Sequence, residues 1–159
     1  MNRKGKEKKE KFLVFIKKMV YYNNYKTNDY NLEVTIMGKF AIRKTNTGVK
    51  FDLKASNGQV IATSEVYTTL AACKNGIASV QKNAPVANLE DQTEENYAKA
   101  KNPKFEIYKD KAGEFRFRLK ATNGQVIAVS EGYTTMKACE NGIASVRKNA
   151  ADSEIVTEE

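Results

Sequence analysis

Few side chains in this sequence could do covalent chemistry, and their types and spacing argue against an enzyme. The 159 residues contain no histidine, which excludes an imidazole base, a Ser-His or Cys-His nucleophile and a histidine-ligated metal. Two cysteines cannot form a zinc site by themselves or a disulfide framework. No glycine-rich phosphate loop precedes a helix, and no carboxylates stand at metal-ligand spacing. We therefore expect no catalytic residue, no metal site and no cofactor.

The most suggestive pattern is a set of cations at alternate positions of predicted strands. Arg116, Arg118 and Lys120 alternate with apolar residues, so they share one side of a strand. The full candidate set for an anion- or nucleic-acid-binding face is Arg43, Lys50, Lys54, Tyr108, Arg116, Arg118 and Lys120. Cations beside an aromatic ring on an open sheet can follow phosphates and stack bases. The sequence favours the alternative of a charge-paired surface, because Asp52 and Glu106 fall among the same cations.

Two further pairs of residues occupy matching positions in the two halves of the sequence. Cys73 and Cys139 fall on predicted helices, where they are either buried small hydrophobic residues or, if the helices meet, a redox pair. Glu65 and Glu131 each precede a tyrosine by two residues. They are either paired carboxylates or strand-end residues that take hydrogen bonds. The sequence favours the structural alternative for both pairs.

The net charge of +8 comes mainly from the start of the chain. Residues 1–37 hold nine Lys and Arg against four acidic residues, and residues 38–159 hold eighteen against fifteen. A basic isoelectric point is therefore weak support for a nucleic-acid partner. The longest apolar run, Phe12 to Ile16, is too short to span a bilayer, and two lysines interrupt it before any signal-peptide pattern. With no export signal and two cysteines, we expect a cytoplasmic protein.

Residues 1–36 form an N-terminal extension for which two hypotheses stay open. Lys, Asn and Tyr make up seventeen of these residues. Their codons are rich in A and T, as expected if an untranslated leader were read as protein. Met37 also looks like the natural start of the first repeat. Translation would then begin at Met37. The competing hypothesis is a flexible basic arm, either solvated or bound through an amphipathic helix to an anionic membrane or an acidic partner. That helix would use Phe12, Phe15, Ile16, Met19 and Val20.

The remainder of the chain is an internal duplication. The segment Asn57-Gly58-Gln59-Val60-Ile61-Ala62 returns unchanged at 123–128, and residues 75–80 return at 141–146. About 31 of 46 aligned positions are identical. The predicted organisation is a first repeat with its linker over 37–102 and a second repeat over 103–159.

Each repeat has the pattern of three strands followed by a helix. In the second repeat, apolar residues alternate over 104–109 and from 115, and a third strand covers Val126 to Ser130. Asn123-Gly124 predicts a type I′ hairpin turn, in which both central residues have positive φ. A fourth strand is predicted after each helix, over Val86 to Leu89 and over Glu154 to Thr157. The polar stretch of residues 90–101 between the repeats predicts a linker with a helical turn.

The predicted helix of each repeat is amphipathic, with its apolar residues at helical spacing. In the second repeat these are Met136, Cys139, Ile143 and Val146. Thr134 or Thr135 is placed to cap the first turn. Gly142 in the helix interior costs about 1 kcal/mol relative to alanine, so we expect the backbone to approach the sheet closely there. A unit of about 46 residues buries too little surface to be stable alone, which predicts a core shared by both repeats.

The repeated motifs carry a resemblance to a known family. Lys-Phe-x-Ile-Tyr-Lys-Asp at 104–110, Phe-Arg-Phe-Arg-Leu-Lys-Ala at 115–121 and Asn-Gly-Gln-Val-Ile-Ala at 123–128 resemble the YegP-like family of bacterial domains of unknown function. The resemblance covers residues 37–159. It implies a β-β-β-α-β unit that assembles one continuous sheet and exchanges its last strands. The first repeat departs from the pattern at Thr45 to Thr47 and at Val66.

These observations together predict an α+β pseudo-dimer. Its two tandem repeats are expected to form a single antiparallel sheet about a pseudo-twofold axis, with both helices on one face and the C-terminal strands exchanged. The expected function is that of a non-enzymatic interaction or structural module with an unknown protein partner. The alternative is a weak anionic-ligand or nucleic-acid binder that uses the basic sheet face. The chain is expected to be a monomer or a homodimer without a transmembrane segment.

Overall fold

The computed structural model describes residues 38–158, so both hypotheses about residues 1–36 concern residues outside the described part of the chain. Its first four strands are β1 (Lys39–Lys44), β2 (Val49–Lys54), β3 (Val60–Thr63) and β4 (Asn88–Asp91). The other four are β5 (Lys104–Lys109), β6 (Phe115–Lys120), β7 (Val126–Val129) and β8 (Glu154–Thr157). The α-helices are α1 (Leu70–Asn83) and α2 (Met136–Ala150), and a 3-10 turn covers Ala84–Val86.

Alternation of apolar and polar residues places the first three strands of each repeat as predicted. The hairpin turns differ from the prediction, because no non-glycine residue among those described has positive φ, whereas Gly58 and Gly124 have φ of 83°. Gly124 N–H donates to the Ala121 carbonyl, and Ala121 N–H donates to the Gln125 carbonyl. The turn is therefore a longer loop with only glycine in the left-handed region. The Asn123 side chain accepts a hydrogen bond from Gln125 N–H and stabilises this loop.

The eight strands form one sheet in the order β4-β5-β6-β7-β3-β2-β1-β8. The prediction of a wholly antiparallel sheet is wrong, because β4 runs parallel to β5 and β8 runs parallel to β1. Each of these edge strands follows a helix, and the helix carries the chain back across the sheet before the strand begins. A connection of this length can deliver a parallel strand, whereas a hairpin cannot. The two repeats meet at the antiparallel pair of β3 and β7.

Both helices begin with a threonine cap and pack on one face of the sheet. The Thr69 and Thr135 hydroxyls accept hydrogen bonds from Ala72 and Ala138 N–H, as the sequence predicts for the second repeat. One hydrophobic core contains residues of both helices and of strands from both repeats, including Cys73, Ile77, Cys139, Ile143 and the four phenylalanines Phe40, Phe51, Phe105 and Phe117. Along the strands, the residues that alternate with these phenylalanines face the opposite side of the sheet.

The two helix glycines make room for tyrosine rings. A Cβ at Gly142 would lie 2.8 Å from Cζ of Tyr133 and 3.0 Å from Cε1 of Phe117. The Tyr133 ring stacks on Phe117 with 6.3 Å between centroids, and Tyr67 stacks on Phe51 in the same way. The tyrosine ring therefore lies between the helix and the sheet. Glycine is needed at this position because a side chain would clash with the ring.

The segment between the repeats differs in detail from the prediction. Pro85 lies in the 3-10 turn Ala84–Val86, and the following strand covers Asn88–Asp91 instead of residues 86–89. The rest of the predicted linker contains turns and no helical turn over residues 92–103. No helix within residues 38–158 has the length and apolar character that crossing a membrane requires.

Candidate binding face

The side of the sheet opposite the helices is lined by charged residues, and we call it the charged face. Its cations are Lys39, Arg43, Lys50, Lys54, Lys104, Arg116, Arg118 and Lys120. Its principal carboxylates are Asp52, Glu90 and Glu106, all of them buried. The residues that the sequence singled out therefore lie on neighbouring strands of one face, and the cations are interspersed with acids.

Glu106 in the middle of β5 is the centre of the ion pairs in the second repeat. Its side chain is only 2% exposed, and it pairs with Lys104 at 3.0 Å, with Lys120 at 2.9 Å and with Arg118 on the adjacent strand. Burial alone would raise the pKa of this carboxyl group, but hydrogen bonds from Lys120, Arg118 and Lys104 outweigh burial and lower the pKa to about 2. Glu106 is therefore ionised at neutral pH and holds three cations in place.

Glu90 extends this cluster to the edge strand β4. One of its carboxylate oxygens accepts from Lys104 Nζ at 2.6 Å and from Ala100 N–H at 2.7 Å, and the other accepts from the Gln92 side chain. Burial would raise the pKa of Glu90, but these hydrogen bonds produce a net lowering. The sequence predicts a linker over residues 90–101, and no local pattern marks Glu90 as a residue of the charged face. The ion pair links β4, which follows the first helix, to β5 of the second repeat.

The first repeat has a smaller set of charge pairs. Arg43 Nε donates to Asp52 at 2.7 Å, and the Thr63 hydroxyl donates to the other Asp52 oxygen at 2.5 Å. Lys54 Nζ donates to Glu158 at 2.7 Å, and this hydrogen bond lowers the pKa of Glu158. The position that matches Glu106 is Ala41. The first repeat therefore has no buried carboxylate at the centre of its β1 strand.

Lys50 differs from the other cations of the charged face. Among the described residues it forms no ion pair, whereas each of the other seven cations does. A groove of about 200 Å³ lies beside it where β3 meets β7. The groove is lined by Arg43, Lys50, Asp52, Val60, Ala62, Thr63, Val129 and Glu131. Lys50 therefore borders a concave space in which, among the described residues, neither Asp52 nor Glu131 forms an ion pair with it.

The remaining predicted residues are held by their neighbours. Arg116 Nε donates to Asp110 at 2.6 Å, and this hydrogen bond lowers the pKa of Asp110. The Arg118 guanidinium lies 5.0 Å from the centre of the Tyr108 ring, so it covers the aromatic surface that a base would need. These contacts favour the charge-paired alternative over the base-stacking one.

The cysteine and glutamate pairs also take structural positions. Cys73 and Cys139 are free thiols, and both are fully buried in the core. Burial raises the pKa of Cys73 and is the main cause that raises the pKa of Cys139 to about 11. Glu65 and Glu131 are exposed, and their backbone carbonyls accept from the buried hydroxyls of Ser64 and Ser130. In residues 38–158 no group of three or more Cys, Asp or Glu side chains is arranged to hold a metal ion.

Comparison with known proteins gives a family model and close relatives. The model described as "Domain of unknown function (DUF1508)" matches residues 45–91 and 110–156, which is once per repeat. The chain is similar to "UPF0339 protein YegP" of Yersinia pestis, with 44% identity over 120 residues that cover 75% of this chain and 94% of that protein. It is also similar to "UPF0339 protein plu2779" of Photorhabdus laumondii, with 43% identity over 116 residues, or 72% and 89% of the two chains.

Two solved structures are similar to the fold of this chain. The solution structure of yegP from E. coli, described as a protein of unknown function, matches with a TM-score of 0.62 and 35% identity, and the match covers 77% of this chain and 94% of that one. The solution structure of UPF0339 protein SO3888 from Shewanella oneidensis matches with a TM-score of 0.63 and 34% identity, and covers 76% and 91%. None of these names describes an enzymatic activity.

Proposed function

This chain belongs to the DUF1508 family, a family of unknown function, and we propose its role from the geometry of the charged face. In this proposal the protein is a non-catalytic interaction module that presents the charged face to a protein partner. The observation that carries the proposal is the network of ion pairs around Glu106 and Asp52. A surface whose charges are already fixed loses less conformational entropy on binding than one with mobile side chains.

The arrangement of the edge strands supports a rigid module. In our proposal the repeats form an internal pseudo-dimer, because β4 adds to the sheet of the second repeat and β8 adds to the sheet of the first. Exchange of these strands and the shared core make the two repeats move as one body. A partner would then meet a surface of eight strands with a fixed pattern of positive and negative charges.

The mixed signs of that surface favour a protein partner over a polyanion. Complementary patterns of both charges give specificity between proteins, and like charges opposite one another exclude the wrong partners. Nucleic-acid binding depends on cations that are free to replace counterions along the phosphates. In the second repeat, the cations are already paired with Glu90, Glu106 and Asp110.

A second candidate function rests on Lys50 and its groove. A small ligand with a carboxylate or phosphate group would meet the Lys50 ammonium group, which forms no ion pair with a described residue, and the apolar lining residues Val60 and Val129. This candidate limits the anion-binding alternative to one small ligand site on the first repeat, at the groove beside Lys50.

Affinity capture with matched charge reversals tests the main proposal. The full chain, Lys50→Glu and Lys74→Glu would each be immobilised and exposed to lysate of the source cells, and retained proteins would be identified by mass spectrometry. Lys50 lies on the charged face, whereas Lys74 is an exposed residue of α1 and serves as the control. We expect a defined partner that Lys74→Glu retains and Lys50→Glu loses. The same set of proteins on all three baits would contradict the proposal.

Fluorescence anisotropy tests whether the chain binds a polyanion. The full chain would be titrated against a single-stranded oligonucleotide and against inorganic phosphate competitors at several salt concentrations. A log affinity that falls steeply and linearly with log salt would favour a polyanion ligand over a protein partner. We expect no such binding by the charged face.

A further inference from the structure

The strand β4 at one end of the sheet has an open edge. Among the described residues β4 has a single neighbour, β5. Asn88 N–H donates to the Pro103 carbonyl at 2.9 Å, and Gln92 N–H donates to the Ile107 carbonyl at 2.8 Å. Alternate residues of a parallel strand point their backbone groups to the same side, so the N–H and C=O groups of Leu89 and Asp91 point away from the sheet. No strand in residues 38–158 pairs with these groups, and an edge of this kind can accept another strand.

The β4 edge also carries exposed apolar side chains. Val86 is 69% exposed and Leu89 is 49% exposed, and they lie three residues apart where the strand begins. The matching positions at the β8 edge are Asp152 and Ile155, so only one of them is apolar there. The two ends of the sheet therefore differ, and β4 is the one whose outward backbone groups, which no described strand pairs with, lie beside an apolar patch.

An acidic cavity continues the β4 edge. Its volume is about 500 Å³, and it is lined by Asp91, Glu94, Glu95, Asn96, Tyr97 and Ala98. Asp91 is both the last residue of β4 and part of this lining. Glu94 and Glu95 form no ion pair with any described residue, and the Tyr97 ring is partly exposed beside them. Carboxylates and a tyrosine ring together favour a lysine or arginine side chain.

We propose that the β4 edge binds an extended basic segment of a partner protein, which adds to the sheet as a ninth strand. An apolar residue of that segment packs against Val86 and Leu89, and a lysine or arginine two to four residues away enters the acidic cavity. Backbone hydrogen bonds to an edge strand supply affinity, and side-chain pockets supply specificity. A second copy of this chain fits less well, because both of its sheet ends carry carboxylates, including Asp91 and Glu154.

This surface lies at the sheet edge, and the proposal does not depend on the charged face. The probe is an eight-residue peptide of alternating lysine and valine, titrated into isotope-labelled full chain and followed by amide chemical shifts and hydrogen exchange. We expect the amides of Leu89 and Asp91 to shift and to become protected from exchange. An alternating glutamate and valine peptide should leave them unchanged.

Two variants test the mode of binding. Leu89→Pro removes only the outward N–H, so the bonds from β4 to β5 remain, whereas Ile155→Pro makes the equivalent change at the β8 edge. We expect Leu89→Pro to weaken peptide binding by at least about tenfold and Ile155→Pro to leave it unchanged. If Leu89→Pro does not fold, the double variant Glu94→Lys with Glu95→Lys should give the same loss.

Either of two results would overturn the proposal. The first is that millimolar peptide leaves the Leu89 and Asp91 amides unchanged. The second is peptide binding that tolerates both Leu89→Pro and the charge reversals, or that is lost in Lys50→Glu, since the peptide would then bind elsewhere. The proposal for the charged face is tested separately by capture with Lys50→Glu.

Discussion

The two repeats have matching cores and different outer faces. The buried phenylalanines of the first repeat, Phe40 and Phe51, recur as Phe105 and Phe117 in the second, with the same edge-on contact between the rings. On the charged face, however, Ala41 of the first repeat stands where the second has Glu106. The second repeat therefore has a buried cluster of ion pairs, whereas the first has Arg43 paired with Asp52 and Lys50 without a described partner. One fold can therefore carry a fixed charge pattern in one half and, in the other, a cation that forms no ion pair with a described residue.

Replacement of Glu106 should have the largest effect on stability. Glu106→Gln leaves Lys104, Arg118 and Lys120 without their common carboxylate in a half-buried position. We expect the free energy of unfolding to fall by about 3 kcal/mol, at the low end of the range for a broken buried pair, because Arg118 is 35% exposed. Urea denaturation measures the change.

The matched control lies in the first repeat. Asp52→Asn removes a carboxylate whose main cationic partner, Arg43, is 44% exposed. The free energy of unfolding should therefore fall by about 1 kcal/mol or less. Equal losses for the two variants would remove the distinction between the repeats.

Removal of Arg147 should have the next largest effect. This α2 side chain donates to the carbonyls of Ala84 and Ala87 at 3.1 and 2.7 Å and lies 5.0 Å from the centre of the Phe105 ring. Arg147→Ala leaves both carbonyls without this donor, and we expect a loss of about 2 kcal/mol in the free energy of unfolding. The matching residue of α1 is Gln81, and Gln81→Ala should change stability by no more than about 0.5 kcal/mol. Similar losses would show that the second helix has no special link to the 3-10 turn.

Among the principal substitutions, setting aside the controls, replacement of the helix glycine should have the smallest effect on stability. Gly142→Ala gains about 1 kcal/mol of helix propensity but places a methyl group against Tyr133 and Phe117. We expect the free energy of unfolding to fall by about 1 kcal/mol, because the cost of overpacking a filled core exceeds the gain in helix propensity. The exposed neighbour Asn141→Ala should stabilise the helix slightly, as measured by thermal denaturation. A Gly142→Ala protein more stable than wild type would show that the tyrosine can move aside.

The sequence predicted the local elements well because their signals are local. Alternation at Phe115, Phe117 and Leu119 defines β6, and the spacing of Cys139, Ile143 and Val146 defines the buried side of α2. The duplication and the family motifs predicted the α+β fold. The parallel direction of β4 and β8 was missed because it depends on where each helix returns the chain, which no local pattern records.

The candidate site was predicted only in part. The sequence placed Arg118 and Lys120 on one face and suggested Glu106 as a partner, and all three lie together. It missed Glu90, because this residue reaches the cluster only once β4 pairs with β5, 14 residues away from Lys104 in sequence. It also gave no indication that Lys50 would border a groove. The pairing of β4 with β5 joins segments that no local pattern connects, so the ion pair of Glu90 becomes visible only in three dimensions.

Carbon-detected NMR across a pH titration measures the carboxyl pKa of Glu106 and shows whether ion pairs fix the charged face. Its folded-state pKa of about 2 lies below the ordinary value of 4.5, so the stability it contributes is fully present above pH 4.5 and is lost as the pH falls toward 2. We predict that the Glu106 carboxyl titrates near 2 in the folded protein. Titration near 4.5 would show that the three cations are not held by an ionised Glu106, and it would contradict a charged face fixed by ion pairs.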